Sequence, residues 1–263
     1  MLWKLRDELY HIFLLEGEGK LCVDFVEYSF SGKTAFFSSP YQYIQICTDN
    51  DITCQMLSFH GDFYCIEYHK KEVACNGLLF NNIYLSPSFS VKDDTFAEVC
   101  GYLKKISQIN AEEEFSEAVL RSYLQLILAI CSKAKVQQSA VETSFNNQPG
   151  SLKLFQNLVD KHFITAKSPA FYPGLLNLSA NSFSKKIKSL YGKAPSTIIQ
   201  ERVILEAKKL IHLTRKPMKE IAAELNFEDE FYFSKYFKKH TGVSPTQFRE
   251  KTGISIVADL YKE

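Results

Sequence analysis

This 263-residue sequence lacks several common devices. It contains no CxxC and no HxH pair, its seven cysteines are an odd number, and none falls after Cys131. An unpaired set of that kind fits buried thiols in a reducing compartment better than a disulfide framework. No apolar run approaches the roughly 20 residues of a membrane span. The opening MLWKLRDELYHIF scatters charge through its first eight residues, so no secretory leader is expected and the location is read as cytoplasmic. Net charge is close to nil, at +1.

That balance conceals an asymmetry. Residues 1–150 hold 12 Lys+Arg against 19 Asp+Glu, whereas residues 151–263 hold 19 against 11. Every cysteine lies in the acidic part. Two domains with different partners follow, and the basic one is the candidate for a polyanion.

From Tyr10 to about Phe80 the chain reads as short β-rich runs (YHIFLLE, KLCVDFVEYSF, TAFFSS, YQYIQIC, ITCQMLSF, FYCIEY). EGEGK, SGK, SSP, TDND and HGD are taken as the turns between them, a spacing that suggests a sandwich or barrel. Two amphipathic helices are expected next. Phe96, Val99, Leu103 and Ile106 share one face of the first, and Phe115, Val119, Tyr123, Leu126, Ile127 and Ile130 share one face of the second. The polar, aperiodic stretch 136–150 ends in Pro-Gly and reads as a linker. Domain bounds of 1–135 and 151–263 follow, the second helical from Ser151 to about Gly253.

Within that second domain FSKKIKSLYGKAP, from Phe183 to Pro195, recurs as FSKYFKKHTGVSP, from Phe233 to Pro245. Each copy is amphipathic. Phe183, Ile187 and Leu190 form an apolar back, as do Phe233 and Phe237, and turning about 160° away leaves Asn181, Lys185 and Lys188, or Phe231, Lys235 and Lys238. Gly192 and Gly242 are placed to end the helices in the left-handed conformation, and Pro195 and Pro245 to open the next ones. Before each copy stands a short apolar stretch with a turn, GLLNLS and AAELNFED, whose Asn177 and Asn226 tolerate positive φ. Short helix, tight turn and basic helix form a helix-turn-helix, here twice. The helical period of PSTIIQERVILEAKKLIHLT between them predicts a rigid connector, which would let two recognition helices enter successive major grooves.

At these residues the chain resembles the AraC/XylS family of bacterial transcription regulators. KEIAAELNFEDEFYFSKYFKKHTGVSPTQFR resembles the family signature through Ile221, Ala222, Leu225, Phe227, Phe233, Phe237, Lys238, Gly242, Pro245 and Arg249. ERVILEAKKLI resembles its linker helix through Arg202 and Ala207. The resemblance covers roughly 100 residues and implies an α+β two-domain protein. An N-terminal cupin-like β-barrel with dimerisation helices would precede a C-terminal all-α domain with two helix-turn-helix motifs. It implies a sequence-specific regulator, read as an activator. Its partners would be double-stranded promoter DNA, RNA polymerase for an activator, a second copy of the chain through helices within 93–135, and a small-molecule effector. No membrane, cofactor, metal or catalytic residue is expected. The sequence departs from the family pattern twice: Asn226 replaces the usual Gly of the second turn, and Pro173, followed by Gly174, takes the place matching buried Ala222. The first supporting helix is therefore expected to be kinked or shortened.

The candidate DNA-contacting residues are Asn181, Ser182, Ser184, Lys185 and Lys188 on the first recognition helix. Glu230, Phe231, Tyr232, Lys235, Lys238 and Lys239 are their counterparts on the second. For the lysines the alternative is a solvated face; for the Asn and Ser group it is capping near Ser179; for Glu228, Asp229 and Glu230 it is the preference of acids for a helix N-terminus. Phe231 has no such alternative. Elsewhere, His60, Cys65, His69 and Cys75 crowd together without a zinc-ligand spacing, beside Lys70 and Lys71. A cupin-type enzyme carrying a DNA-binding tail is the rival reading, which the missing HxH disfavours. A third is a constitutive regulator whose β domain only dimerises.

Overall fold

The structure, a computed structural model, describes residues 2–24, 26–66, 77–110, 112–145 and 149–255. The chain divides into two compact units, Met1–Asn82 with Ser86–Glu142, and Ile83–Leu85 with Thr143–Glu263.

The first unit is an antiparallel sheet with two helices. Its strands are β1 (Leu2–Leu5), β2 (Tyr10–Val23), β3 (Val26–Ser38), β4 (Ile44–Cys47), β5 (Thr53–Phe59) and β6 (Ser88–Ser90). The order is β1-β4-β2-β3-β6, with β5 pairing β2 beside β4 on the same edge. Among the described residues the sheet does not close into the expected barrel. It does curl. Trp3 is drawn through Ile46 to Leu21 of β2, eight residues from Phe13, a distance of about 26 Å along a straight strand. Yet the Trp3 and Phe13 rings lie 5.5 Å apart.

The alternation of side chains along β2 and β3 explains the run HIFLLE. Ile12 and Leu14, with Ala35 and Phe37, face one core, shared with Phe59, Phe80 and the helices. Phe13, Leu15 and Phe36 face a second, shared with Leu21, Phe30, Ile44 and Ile46 inside the curl. Both faces are covered, so the run is continuously apolar.

Two supposed turns are strand interiors. EGEGK lies within β2 and SGK within β3, and the chain reverses instead at Asp24, whose φ is 53°. Gly19 is required there for close approach: a Cβ would stand 2.7 Å from the carbonyl oxygen of Cys47 and 2.9 Å from the Phe30 ring. The segment read as a strand at FYCIEY is a turn as far as Ile66.

Helices α1 (Asp93–Ser107) and α2 (Ser116–Phe145) cover the first core. On α1 Phe96 and Val99 are buried as expected, and Leu103 and Ile106 pack against them. On α2 the buried stripe is Leu124, Ile127, Leu128 and Cys131, while Phe115, Val119 and Leu126 of the expected stripe are exposed. Phe115 precedes the helix with φ 65°. Within the stretch 136–150, α2 continues to Phe145 and α3 (Pro149–His162) begins at Pro149, so these parts of it are helical.

Among its described residues the regular elements of the second unit are helical: α3, a 3-10 turn at Pro169–Phe171, α4 (Tyr172–Leu175), α5 (Ala180–Tyr191), α6 (Pro195–Leu213), α7 (Met218–Glu224), α8 (Glu230–Thr241) and α9 (Pro245–Thr252).

Candidate nucleic-acid interface

Two modules of the same construction stand at the ends of α6. In the first, α4, a turn and α5 follow one another; in the second, α7, a turn and α8. The turns use one hydrogen-bond pattern. Leu178 N–H donates to Pro173 O at 3.0 Å and Asn177 N–H to Gly174 O at 3.3 Å, as Phe227 N–H does to Ala222 O and Asn226 N–H to Ala223 O, both at 2.9 Å. This is the closure by which a left-handed residue satisfies the last carbonyls of a helix. Pro173 shortens α4 to four residues, against seven for α7, as its sequence predicts. It stands in the first turn, where no backbone donor is needed, so the turn geometry survives.

Helices α5 and α8 are capped at both ends. Ser179 Oγ accepts from Ser182 N–H at 3.3 Å, and Asp229 Oδ1 accepts from Tyr232 N–H at 2.7 Å. Gly192 and Gly242, with φ 68° and 85°, close the C-termini on the carbonyls of Lys188 and Lys238. Inward, Phe183 and Ile187 pack beside Phe155 and Tyr172, and Phe233 and Phe237 beside Phe227 and Phe248. Tyr172 Oη donates to Ala166 O at 2.9 Å, and burial pushes its phenol up to about 12.

The faces left outside are the ones the sequence singles out. Asn181, Ser182, Ser184, Lys185 and Lys188 on α5 are exposed, as are Glu230, Phe231, Tyr232, Lys235, Lys238 and Lys239 on α8. Ser182 is partly occupied by the cap, since Ser179 Oγ donates to its hydroxyl at 3.0 Å. Phe231 is 87% exposed. A phenyl ring left in water forgoes about 2 kcal/mol of burial, which favours an external occupant of that face.

The modules are not exact copies. Asn177 precedes the cap Ser179 by two residues, whereas Asn226 precedes Asp229 by three. One more residue therefore separates turn from recognition helix in the second module.

Several residues that carry the family resemblance hold the frame. Arg202 on α6 reaches Asp160 at 2.7 Å and Glu206 at 2.9 Å, with its guanidinium 4.0 Å from the Phe163 ring centre. Arg249 on α9 donates to the carbonyls of Ile211 and Lys216 at 3.2 and 2.8 Å, satisfying the open end of α6. Ala207 is fully buried on α6. These pairs lock α3, α6 and α9 together, a role that spacing alone does not disclose.

In the first unit, His60 Nδ1 lies 3.3 Å from an Asp62 oxygen. Among the described residues no group of three His, Cys, Asp or Glu is placed to hold a metal; His69 and Cys75 lie outside the described residues. No helix among the described residues is long and apolar enough to cross a membrane.

Two helix-turn-helix modules presenting basic faces from one connector define the second unit as a DNA-binding domain. Residues 174–251 match the helix-turn-helix domain family. The chain is 32% identical over 93 residues to the arabinose operon regulatory protein of Salmonella typhimurium, a match spanning 35% of this chain and 32% of the relative. It is 24% identical over 178 residues to the virulence regulon transcriptional activator VirF of Yersinia enterocolitica, spanning 65% of this chain and 59% of the relative. The crystal structure of ToxT from Vibrio cholerae aligns over 96% of this chain and 97% of its own, at 17% identity and a TM-score of 0.44. The matches thus span less than two thirds of the length of these curated relatives, which are transcription regulators rather than enzymes. These matches lie mainly in the C-terminal domain, where the chain is similar to transcription regulators of the AraC/XylS family.

Proposed function

We propose that the protein is a sequence-specific, DNA-binding transcription regulator of the cytoplasm and not an enzyme. The observation that carries this reading is the matched pair α5 and α8. Each is capped, turned and backed in the same way, and each presents lysines and small or aromatic side chains outward. Lys185, Lys188, Lys235, Lys238 and Lys239 neutralise phosphates; Asn181, Ser182, Ser184, Glu230, Phe231 and Tyr232 stand nearer the helix N-termini and meet base edges. Selection of bound duplexes from random sequence tests the assignment. One preferred site with two half-sites is expected, bound with an affinity that falls steeply as salt rises. The fragment 151–263 should retain that binding and residues 1–150 should show none.

For the first unit we infer a sensing and dimerisation role, its curled sheet standing for the cupin-like part. Val119 and Leu126 are exposed two turns apart on one side of α2, with Phe115 just before it, which suits a second copy of the chain. A cavity of about 350 Å³ lined by Leu57, Phe59, Phe63, Ile106 and Leu124, with Ser58 and His60 as polar groups, suits a small apolar effector. Promoter DNA, RNA polymerase and that effector are then the partners of an activator. A thermal shift on screening metabolites separates a sensor from a constitutive regulator, since a ligand that binds only the native state raises its stability.

A further inference from the structure

Lys167 stands between α3 and the 3-10 turn that opens the first module, but its ammonium group is engaged by the second. Nζ donates to the backbone carbonyl of Asn226 at 2.5 Å and lies 4.1 Å from the centre of the Phe227 ring. Both partners suit a cation: a carbonyl dipole and the negative face of an aromatic ring. Burial holds the Lys167 ammonium below the ordinary lysine range.

These two partners also aim the second recognition helix. Asn226 is the left-handed residue of its turn. The Phe227 ring meets Tyr232, Phe233 and Tyr236 of α8, with centres 5.8, 5.3 and 5.2 Å away. A side chain of one module thus grips the hinge of the other.

The lever between the modules makes that grip consequential. Helix α6 has 19 residues, about 28 Å at 1.5 Å per residue, so a tilt of about 10° at one end moves the far module by about 5 Å. That exceeds the roughly 3.4 Å rise of one base pair. We propose that Lys167 is a positioning residue that fixes the angle between the two recognition helices, and so sets the spacing of the half-sites the protein accepts.

The proposal rests on the two-headed reading given above, and the test separates the two. Full-length wild type, Lys167→Ala, Lys167→Met and Lys167→Arg are titrated on the selected duplex, on duplexes with either half-site scrambled, and on one with a single base pair inserted between the half-sites. Wild type must lose affinity when either half-site is scrambled; if it does not, the two-headed reading fails. Given that loss, Lys167→Ala and Lys167→Met should weaken the intact duplex by about 10-fold, because the second contact is no longer made at high effective concentration. Both should change binding to either scrambled duplex by less than about 2-fold, and both should tolerate the inserted base pair better than wild type. Lys167→Arg, which keeps the cation over the ring, should restore discrimination by spacing. Lys167→Met retains the apolar stem on Phe227, so it decides the matter if the alanine variant unfolds. A loss by Lys167→Met that is equal on all duplexes, or unchanged spacing preference, overturns the proposal.

Discussion

Asn177 and Asn226 adopt the same left-handed backbone conformation, φ 53° in each, at the turns of the two helix-turn-helix modules. Each donates its N–H back to the preceding helix and redirects the chain into a recognition helix. The pair shows what was duplicated: a turn geometry, and not merely a basic segment.

A left-handed residue with a Cβ pays a conformational penalty of about 1 kcal/mol or more, which Asn reduces by local hydrogen bonding and Gly escapes. Asn226→Ala should therefore lower the urea stability of the 151–263 fragment by about 1 kcal/mol, and Asn226→Gly should leave it equal or higher. An alanine variant at least as stable as the glycine one would mean that the turn is not held in this conformation.

In the sheet the glycine argument runs through space instead of φ. Gly19→Ala would set a methyl group 2.7 Å from the Cys47 carbonyl oxygen. Because backbone and a packed ring stand on that side, the first unit should lose about 1–3 kcal/mol of stability. Denaturant unfolding of residues 1–150 measures it, and an unchanged midpoint would refute the close approach.

How much was legible in the sequence differs between the two units for a physical reason. In the second, nearly every signal is local. Ser179 and Asp229 cap, Gly192 and Gly242 terminate, and Pro195 and Pro245 start helices, each acting within a turn of its own position. The repeat then doubled each signal. In the first unit the decisive contacts are long-range. The glycines of EGEGK looked like a turn because nothing nearby reveals that Cys47 and Phe30 crowd against Gly19. The expected stripe on α2 mixed the buried Ile127 with the exposed Val119 and Leu126, since periodicity cannot tell the side facing a sheet from the side left outside. On α5 and α8 the outward-facing residues were legible and the framing of the helices was not. Lys167, in a loop without period, carries no mark in the sequence of its contact with Asn226.

The exposed side of α2 gives the assembly prediction. Leu126 is 40% exposed although apolar, and seven residues from the similarly exposed Val119. Residues 1–150 should sediment as a dimer that Leu126→Glu dissociates, since an unpaired charge buried in an interface costs several kcal/mol, on the order of 3–5. Because Leu126 lies outside the core, the variant should melt as a folded monomer. A wild-type fragment that stays monomeric at high concentration removes the dimer.

The remaining prediction divides labour along and between the recognition helices. Lys238 is exposed toward the C-terminal end of α8 and is a flexible point charge, suited to phosphate. Lys238→Ala should weaken binding to every sequence alike and reduce the salt slope by about one unit. Phe231 stands one residue inside the N-terminus of α8, beyond any core contact at 87% exposure, where a ring can meet a thymine methyl. Phe231→Ala should cost about 1–3 kcal/mol on the selected duplex and much less on random DNA. Asn181 holds the matching place on α5, also one residue inside the helix, and can pair with adenine. Its helix is set one residue closer to its turn than α8 is, behind a supporting helix of only four residues, so Asn181→Ala should cost less than Phe231→Ala. Titration of the three variants on selected and random duplexes distinguishes these roles. Equal losses on both duplexes for Phe231→Ala would leave that ring a non-specific contact, and a larger loss for Asn181→Ala would transfer the principal reading role to the first module.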